Sequence, residues 1–549
     1  MPMTGTPSVH EPSRCGWDRH LGRRRSPAAI RRWLAAGTIP TAISAAASRA
    51  GDKVALQIDG RSVTHVGLDQ WARALADWLA RRGVATGDRV LLALPSSLEF
   101  VACYLAALRL GASVVLASPA LTSFGLSQVL ADAEPVLAVA DGEAAEVLSG
   151  AATDRRSLPD WGHAGESGRA PAVLSFSCAA PAVPASPQTA VVAYTSGTTG
   201  TPKRAPLTHA NLLASIRGAM VAWRWHADDV AVHCLPLYHQ HGLGSVHATL
   251  LAGSRAVIRS RFDPEELVRT VSSERATILL GVPATHYRLV HAQPERASFS
   301  TLRLVVSGSA PLPPTLAESL AEVTGKVPLE RYGTTESGLD ISQCYEGERR
   351  PGTVGLPLPG VEMRIVGPEG DELSPGQDGE IALRGPQVFA GYRGVGQDDA
   401  DAFNRDGWFR TGDLGRSEPD GSLRIRGRLK ELIITGGLNV YPREVELVLE
   451  SHPAVLGVVV AGIPSERWGE EVRAFVVPEP GSAPGLDELA SWCTLRLAPY
   501  QRPKRIELVE SLTLDPMGKL QRKAIVEAAL ERARRAAGEE EEDVHGSRT

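Results

Sequence analysis

Apolar positions in residues 68–79 recur at helical spacing, with Leu68, Trp71, Ala72, Leu75, Trp78 and Leu79 on one face and Gly83 following as a stop. The next run, 88–94, is apolar from Val90 onward, which predicts a strand buried on both faces. A helix over about 98–110, a strand over 113–116, a helix near 127–133 and a strand over 135–140 continue the pattern. Residues 141–188 turn to Ala, Pro, Ser and Gly with little periodicity and predict a long irregular connection. Beyond it come an apolar run at 190–193, a helix over 209–223 and strands at 230–235 and 256–258. A helix near 264–273, a strand at 278–280, a helix after Pro283 and a strand at 302–306 complete the series. Strands alternating with helices predict a mostly parallel sheet with both faces covered, an α/β fold.

The texture changes after Gly352. Short alternating segments at 362–366 and 380–384, with turns at Gly370-Asp371 and Asp420-Gly421, predict a β-rich part. After Lys430 a compact unit begins, with helices at 442–450 and 486–497, strands at 455–463, 471–477 and 505–509, and a closing helix from Lys523.

At 549 residues the chain can build more than one core, since single cores rarely exceed about 250–300 residues. A formal charge of -5 gives no broad basic field, so no nucleic acid partner is expected and any anion site is local. Cys15, Cys103, Cys178, Cys234, Cys344 and Cys493 lack the close pairing of zinc or redox motifs and read as idle thiols of a reducing cytoplasm. No stretch approaches the roughly 20 apolar residues of a membrane span. Residues 1–25, with Arg14, Arg19 and Arg23-Arg24-Arg25, have no apolar run behind them and are expected to be a disordered leader; 531–549 read as a charged tail.

The densest chemistry lies at Tyr194-Thr195-Ser196-Gly197-Thr198-Thr199-Gly200-Thr201-Pro202-Lys203. Glycines let backbone N–H groups approach an anion, the hydroxyls add donors, and Lys203 adds a cation, so the stretch reads as a phosphate cradle. A Walker A loop is excluded because Arg204-Ala205-Pro206 follows the lysine. A plain surface turn remains the alternative for this loop alone. Further along, Tyr332 offers a flat face for adenine. Glu336 is a hard oxygen ligand for Mg²⁺, Asp413 an acceptor for ribose hydroxyls, Arg428 a donor to the same sugar, and Lys519, after Gly518, a deliverable charge.

In this order the motifs resemble the adenylate-forming enzymes: acyl- and aryl-CoA synthetases, nonribosomal peptide synthetase adenylation domains and beetle luciferases. The resemblance runs from about Pro40 to Lys523. It implies a large N-terminal domain (26–429) of two doubly wound αβ lobes plus a small β-barrel (about 352–426), and a mobile α+β C-terminal domain (430–530) hinged at Lys430. It implies ATP, Mg²⁺ and coenzyme A as reactants and cofactor. Thr195, Ser196, Gly197, Thr198, Thr199, Gly200 and Lys203 would hold phosphates. Ser309, Ala310 and Pro311 would lie along adenine, Tyr332 with Gly333 and Thr334 at the base, and Asp413 with Arg428 at the ribose. Thr335 would meet the α-phosphate, Glu336 the metal, and Lys519 would serve the first half-reaction. His239 would gate the acid site beside Gly308, and Gly436, Gly437 and Leu438 would line the thiol's tunnel. The chain departs from the usual pattern at Arg204-Ala205-Pro206, where glycine and small apolar residues are more common.

The segments 238–244, 261–264, 281–289 and 348–352 look most like the malonyl-CoA synthetase branch, in which Arg288 would pair with a second carboxylate, a plain surface arginine on the helix after Pro283 being the alternative. The expected substrate is a small carboxylic acid, short or dicarboxylic. An adenylate-forming ligase that passes a fatty or aryl acid to an amine or carrier protein would share the same ATP residues, and so would a non-catalytic nucleotide-binding relic. Monomer and homodimer are both left open.

Overall fold

The computed structural model describes residues 18–21, 27–159, 171–176, 189–195, 203–393, 402–465, 467–512, 522, 524–528 and 531. Its first lobe carries a seven-stranded sheet whose centre is four parallel strands: Leu137–Ala140, Arg89–Ala93, Ser113–Leu116 and Thr189–Thr195. The first three are buried at every position, which is why they read as unbroken apolar runs. Strand Lys203–Thr208 closes one edge antiparallel, with Tyr194 opposite Arg204 and Thr195 opposite Lys203. A nine-stranded sheet forms the second lobe, parallel from Leu329–Tyr332 through Leu304–Ser307, Ile278–Gly281, Val230–His233 and Arg255–Ile258 to Val54–Ile58. Trp71, Leu75, Phe100 and Tyr104 of the helices His65–Ala80 and Leu98–Arg109 share one core with both sheets.

The expected β-barrel is, among the described residues, a four-stranded antiparallel meander: Glu362–Val366, Asp378–Arg384, Phe409–Ser417 and Leu423–Arg428. The final unit pairs Val455–Ser465 with Gly469–Pro478 and has Arg505–Leu508 parallel to the latter. Val458 and Val460 face helices Pro442–Glu450 and Leu486–Thr494, while Val459 and Ala461 face Phe475 and Ile525. Contacts between this unit and the larger part are polar. Arg426 pairs with Glu444 at 2.8 Å, and Tyr287 Oη donates to Glu479 at 3.2 Å.

Two expectations are corrected. The stretch after residue 140 is not irregular throughout: helix Gly142–Ser149 and strands Asp154–Ser157 and Ala172–Ser175 extend the first sheet. Their signal was weak because all four positions of Asp154–Ser157 are exposed, so nothing alternates. Within the expected leader, Asp18–Leu21 is a helical turn with His20 and Leu21 buried, held by Arg224, whose Nη1 donates to the His20 carbonyl at 3.0 Å. The remainder of 1–25 lies outside the described residues, as does nearly all of the tail.

Strand Leu329–Tyr332 buries two consecutive charges, Glu330 and Arg331, on opposite sides. Burial pushes the Glu330 carboxyl up to about 7, although Gly352 N–H donates to it at 3.2 Å. A carboxyl raised this way holds its proton in the folded state after the unfolded chain has released it. Its contribution therefore favours folding less as pH rises from about 4.5 through 7. Glu330→Gln removes that slope. In urea denaturation the variant is expected to gain on the wild type by on the order of 2 kcal/mol between about pH 5 and about pH 8.

Candidate functional site

The C-terminal end of the nine-stranded sheet meets the meander at Tyr332. Cross-strand register pairs Asp413 with Arg428, and Arg428 Nε lies 3.3 Å from Asp413 Oδ1. Tyr332 Oη donates to Asp413 Oδ2 at 2.6 Å. One carboxylate thus fixes an aromatic ring on one side and a guanidinium on the other. Burial raises the Asp413 pKa even with Arg428 beside it. Ribose hydroxyls arriving here would share or exchange these hydrogen bonds.

After Tyr332 the chain makes a tight turn through Gly333 and Thr334, with Gly338 N–H donating to the Thr334 carbonyl at 2.8 Å. Asp340 anchors the turn, accepting from Ser337 Oγ at 2.5 Å and Gln387 Nε2 at 3.1 Å, and burial pushes its pKa up to about 6. Gln240 Nε2 donates to the Thr335 carbonyl at 2.5 Å. Glu336 is 8% exposed, and Tyr392 Oη donates to its Oε1 at 2.7 Å. Across the turn, Ser309 leads Ala310 and Pro311 out of strand Leu304–Ser307 with φ 70°, a strained value for serine of the sort that gathers at binding sites.

Beneath Ser309 lies a residue to which the sequence reading gave no role. Arg331 is 8% exposed, and a Cβ on Gly308 would collide with its guanidinium, so only glycine leaves it room. Among the described residues its side chain makes one hydrogen bond, from Nη2 to Ser309 Oγ at a long 3.4 Å, and its Nε has no partner. Burial pushes its pKa down to about 10. Asp340 attracts its charge, yet among the described residues most of its five donors are unused, so the group can receive a further anion. The only available signal was two charges interrupting an otherwise strand-like sequence, Leu329-Glu330-Arg331-Tyr332.

His239 caps the start of helix Gln240–Ala252, its ring 4.7 Å from that of Tyr238. Two residues on, His241 Nδ1 is 3.3 Å from Ser309 Oγ, which brings this helix to the Gly308–Arg331 corner. Arg288 does not join the group. It is exposed on helix Pro283–His291, its guanidinium 4.6 Å from the centre of the Phe262 ring, and no other described contact involves its side chain. Its helix puts the position before the buried Leu289 on the outer face, which periodicity alone left undecided.

Lys203 Nζ lies 5.0 Å from the centre of the Tyr392 ring. Between the paired ends Thr195 and Lys203, the phosphate-loop residues Ser196, Gly197, Thr198, Thr199 and Gly200 lie outside the described residues, and so does Lys519. Lys430 sits in the exposed turn Leu429–Glu431 between the meander and the final unit. Next to it, Glu431 pairs with Arg522 at 3.0 Å, and Arg522 Nη1 also donates to the Val460 carbonyl at 2.8 Å. Gly436 and Gly437, with φ of 57° and 79°, make the two-residue turn of a hairpin between Ile433–Thr435 and Leu438–Val440. In this pose the hairpin contacts Trp468 and stands exposed, with Ile434 at 53% and Leu438 at 49%.

Among the described residues no group of three or more His, Cys, Asp or Glu could hold a metal, and no helix is long and apolar enough to cross a membrane.

Comparison with known proteins matches residues 43–393 to the AMP-binding enzyme family model and 444–519 to the AMP-binding enzyme C-terminal domain. A feruloyl-CoA synthase from Amycolatopsis sp is 34% identical over 472 residues, 85% of this chain and 94% of that protein. The human mitochondrial malonate–CoA ligase ACSF3 is 38% identical over 375 residues, 61% of this chain and 65% of that protein. The crystal structure of ATP-bound MatB from Rhodopseudomonas palustris superposes with a TM-score of 0.79 at 34% identity, covering 88% of this chain and 98% of that one.

Proposed function

This chain belongs to the AMP-binding enzyme family and is an acyl-CoA ligase, and we propose that its acid is a short dicarboxylate such as malonate, activated as acyl-AMP and passed to coenzyme A. The observation that carries the choice of acid is the Arg331 corner. A monoacid bound there leaves a buried guanidinium whose charge Asp340 attracts but whose donors stay mostly unmet among the described residues, whereas the second carboxylate of a diacid would accept from those donors. A malonate–CoA ligase among the relatives supports the same reading; a feruloyl-CoA synthase among them sets the competing acid to be tested.

Tyr332, Asp413 and Arg428 would hold the nucleoside, with Ser309, Ala310 and Pro311 along the base. Lys203 would hold phosphate oxygens together with Thr195 and the loop residues up to Gly200. The first carboxylate of the acid, near His239 and Thr335, attacks the α-phosphorus in line, and pyrophosphate departs. Both partners are anionic, so the barrier falls chiefly by positioning and by offsetting charge. Glu336 fits a magnesium ligand: its Oε1 is held by Tyr392, its Oε2 takes no hydrogen bond from a described residue, and Mg²⁺ commonly takes one or two carboxylates with substrate phosphates. When bound, the metal would offset charge on the phosphoryl oxygens. The thiolate of coenzyme A then attacks the acyl carbonyl and AMP leaves, which requires Lys519 to withdraw and the Gly436-Gly437-Leu438 hairpin to come in as the small domain turns at Lys430.

Purified protein with ATP, Mg²⁺ and coenzyme A, offered malonate, acetate, ferulate and a long-chain acid, tests the acid. The expected kcat/KM for malonate exceeds that for acetate by about 10²-fold or more. Preference for ferulate or the long-chain acid would overturn the assignment.

A further inference from the structure

Segment 385–393 lies across the Glu336 turn and is fastened at five points. Asn211 Nδ2 donates to the carbonyls of Pro386 and Val388 at 2.9 and 2.8 Å. Gln387 Nε2 reaches Asp340 at 3.1 Å, Phe389 N–H donates to the Glu336 carbonyl at 2.8 Å, and Arg393 N–H donates to the Arg204 carbonyl at 3.0 Å. Between the last two anchors sits Tyr392. Its ring meets Phe389 edge-on at 4.8 Å, and Phe389 in turn packs on Phe403 and Phe409 at 5.8 and 5.2 Å. Backbone and aromatic packing therefore leave the Tyr392 ring little freedom.

That fixed ring touches both sides of the phosphate site. Its hydroxyl donates to Glu336 Oε1 at 2.7 Å, and the Lys203 ammonium lies 5.0 Å from the ring centre. We propose that Tyr392 is a positioning residue: its hydroxyl sets the Glu336 carboxylate so that Oε2 points to magnesium, and its face holds Lys203 for the phosphates. This rests on the reading of Glu336 as the metal ligand. A carboxylate held through one oxygen has less freedom to turn the other away, and such outer hydrogen bonds typically govern metal affinity by about 10–100-fold. A lysine on an aromatic face keeps its charge while being confined laterally, a modest electrostatic attraction.

The two contacts separate by substitution. Tyr392→Phe keeps the ring and loses the hydroxyl; Tyr392→Leu loses both. The readout is ATP binding by calorimetry, with Mg²⁺ titrated and, separately, in EDTA. Tyr392→Phe is expected to raise the Mg²⁺ concentration for half-maximal enhancement of ATP binding about tenfold while leaving ATP affinity in EDTA within about twofold. Tyr392→Leu is expected to add a loss of about three- to fivefold in EDTA. An unmoved Mg²⁺ midpoint in Tyr392→Phe, or a loss in EDTA as large as that with metal, overturns the proposal. Glu336→Gln separates the two claims. If it shifts the midpoint and Tyr392→Phe does not, the inference about Tyr392 alone falls; if Glu336→Gln leaves the midpoint in place, the metal-ligand reading falls and takes the proposal with it.

Discussion

Lys519→Ala is expected to cut acid-dependent pyrophosphate exchange by about 10²–10³-fold, while thioester formation from supplied acyl-adenylate stays within about twofold of the wild type. The size follows from charge. In the first half-reaction negative charge builds on phosphoryl oxygens in a water-poor cleft, where one aimed cation is worth far more than in bulk solvent. In the second, AMP leaves as a stable anion and the lysine has to be elsewhere. Arg522 gives this a structural basis. Three residues past Lys519, its guanidinium is tied to Glu431, the neighbour of the proposed hinge Lys430, and to the buried Glu446. Those pairs fix Arg522 to the final unit; if that unit turns as proposed, the lysine's charge would be expected to move with it. Pyrophosphate exchange and single-turnover thioester formation, measured on the same preparation, check the outcome. Equal loss in both would show that the lysine serves something other than the adenylation step.

Arg331→Met is expected to lower kcat/KM for a short diacid by about 10²–10³-fold and to change that for the monoacid of equal length by less than about threefold. Methionine keeps most of the volume against Gly308 and removes the charge. Breaking a buried ion pair by deleting one partner costs about 3–5 kcal/mol, which at 1.36 kcal/mol per decade is about 10²- to 10⁴-fold, and the expectation takes the lower part of that span. Among the described residues the free enzyme loses one long hydrogen bond and the attraction of Asp340, and sheds a cation that burial disfavours. Stability in urea should therefore stay level or rise. A drop in stability with parallel losses for both acids would make Arg331 a structural residue and return the choice of acid to the other relatives' substrates.

Much of the fold was legible because parallel strands covered on both faces cannot hide their burial: Val90 to Leu94 and Val114 to Leu116 announce themselves as apolar runs. The residues proposed for the nucleotide stood out for a different reason. Tyr332, Glu336, Asp413 and Arg428 are chemically expensive residues in a fixed order, and the resemblance rested on that order. What stayed hidden was the environment of charge. Arg288 and Arg331 look equally able to meet a carboxylate in sequence; one is exposed on a helix surface beside Phe262, the other is sealed against Gly308. Burial of a charge is set by tertiary packing, to which no local pattern points. Tyr392 escaped notice similarly, since Glu336 and Lys203 are 56 and 189 positions away along the chain and the strap at 385–393 brings them to one ring. The turn at Asp18–Leu21 was missed because it has too few residues to show a period.

The small domain rests on the larger part through pairs such as Arg426 with Glu444 and Tyr287 with Glu479, while Ile434 and Leu438 of its hairpin face water. Dissolved electrolyte weakens attraction between charges, less so for a partly buried pair such as Arg426 with Glu444, and, for strongly hydrated salts, sharpens the tendency of oily surface to seek cover. If the small domain turns as proposed, the ionic medium would act as a silent setting on where it settles.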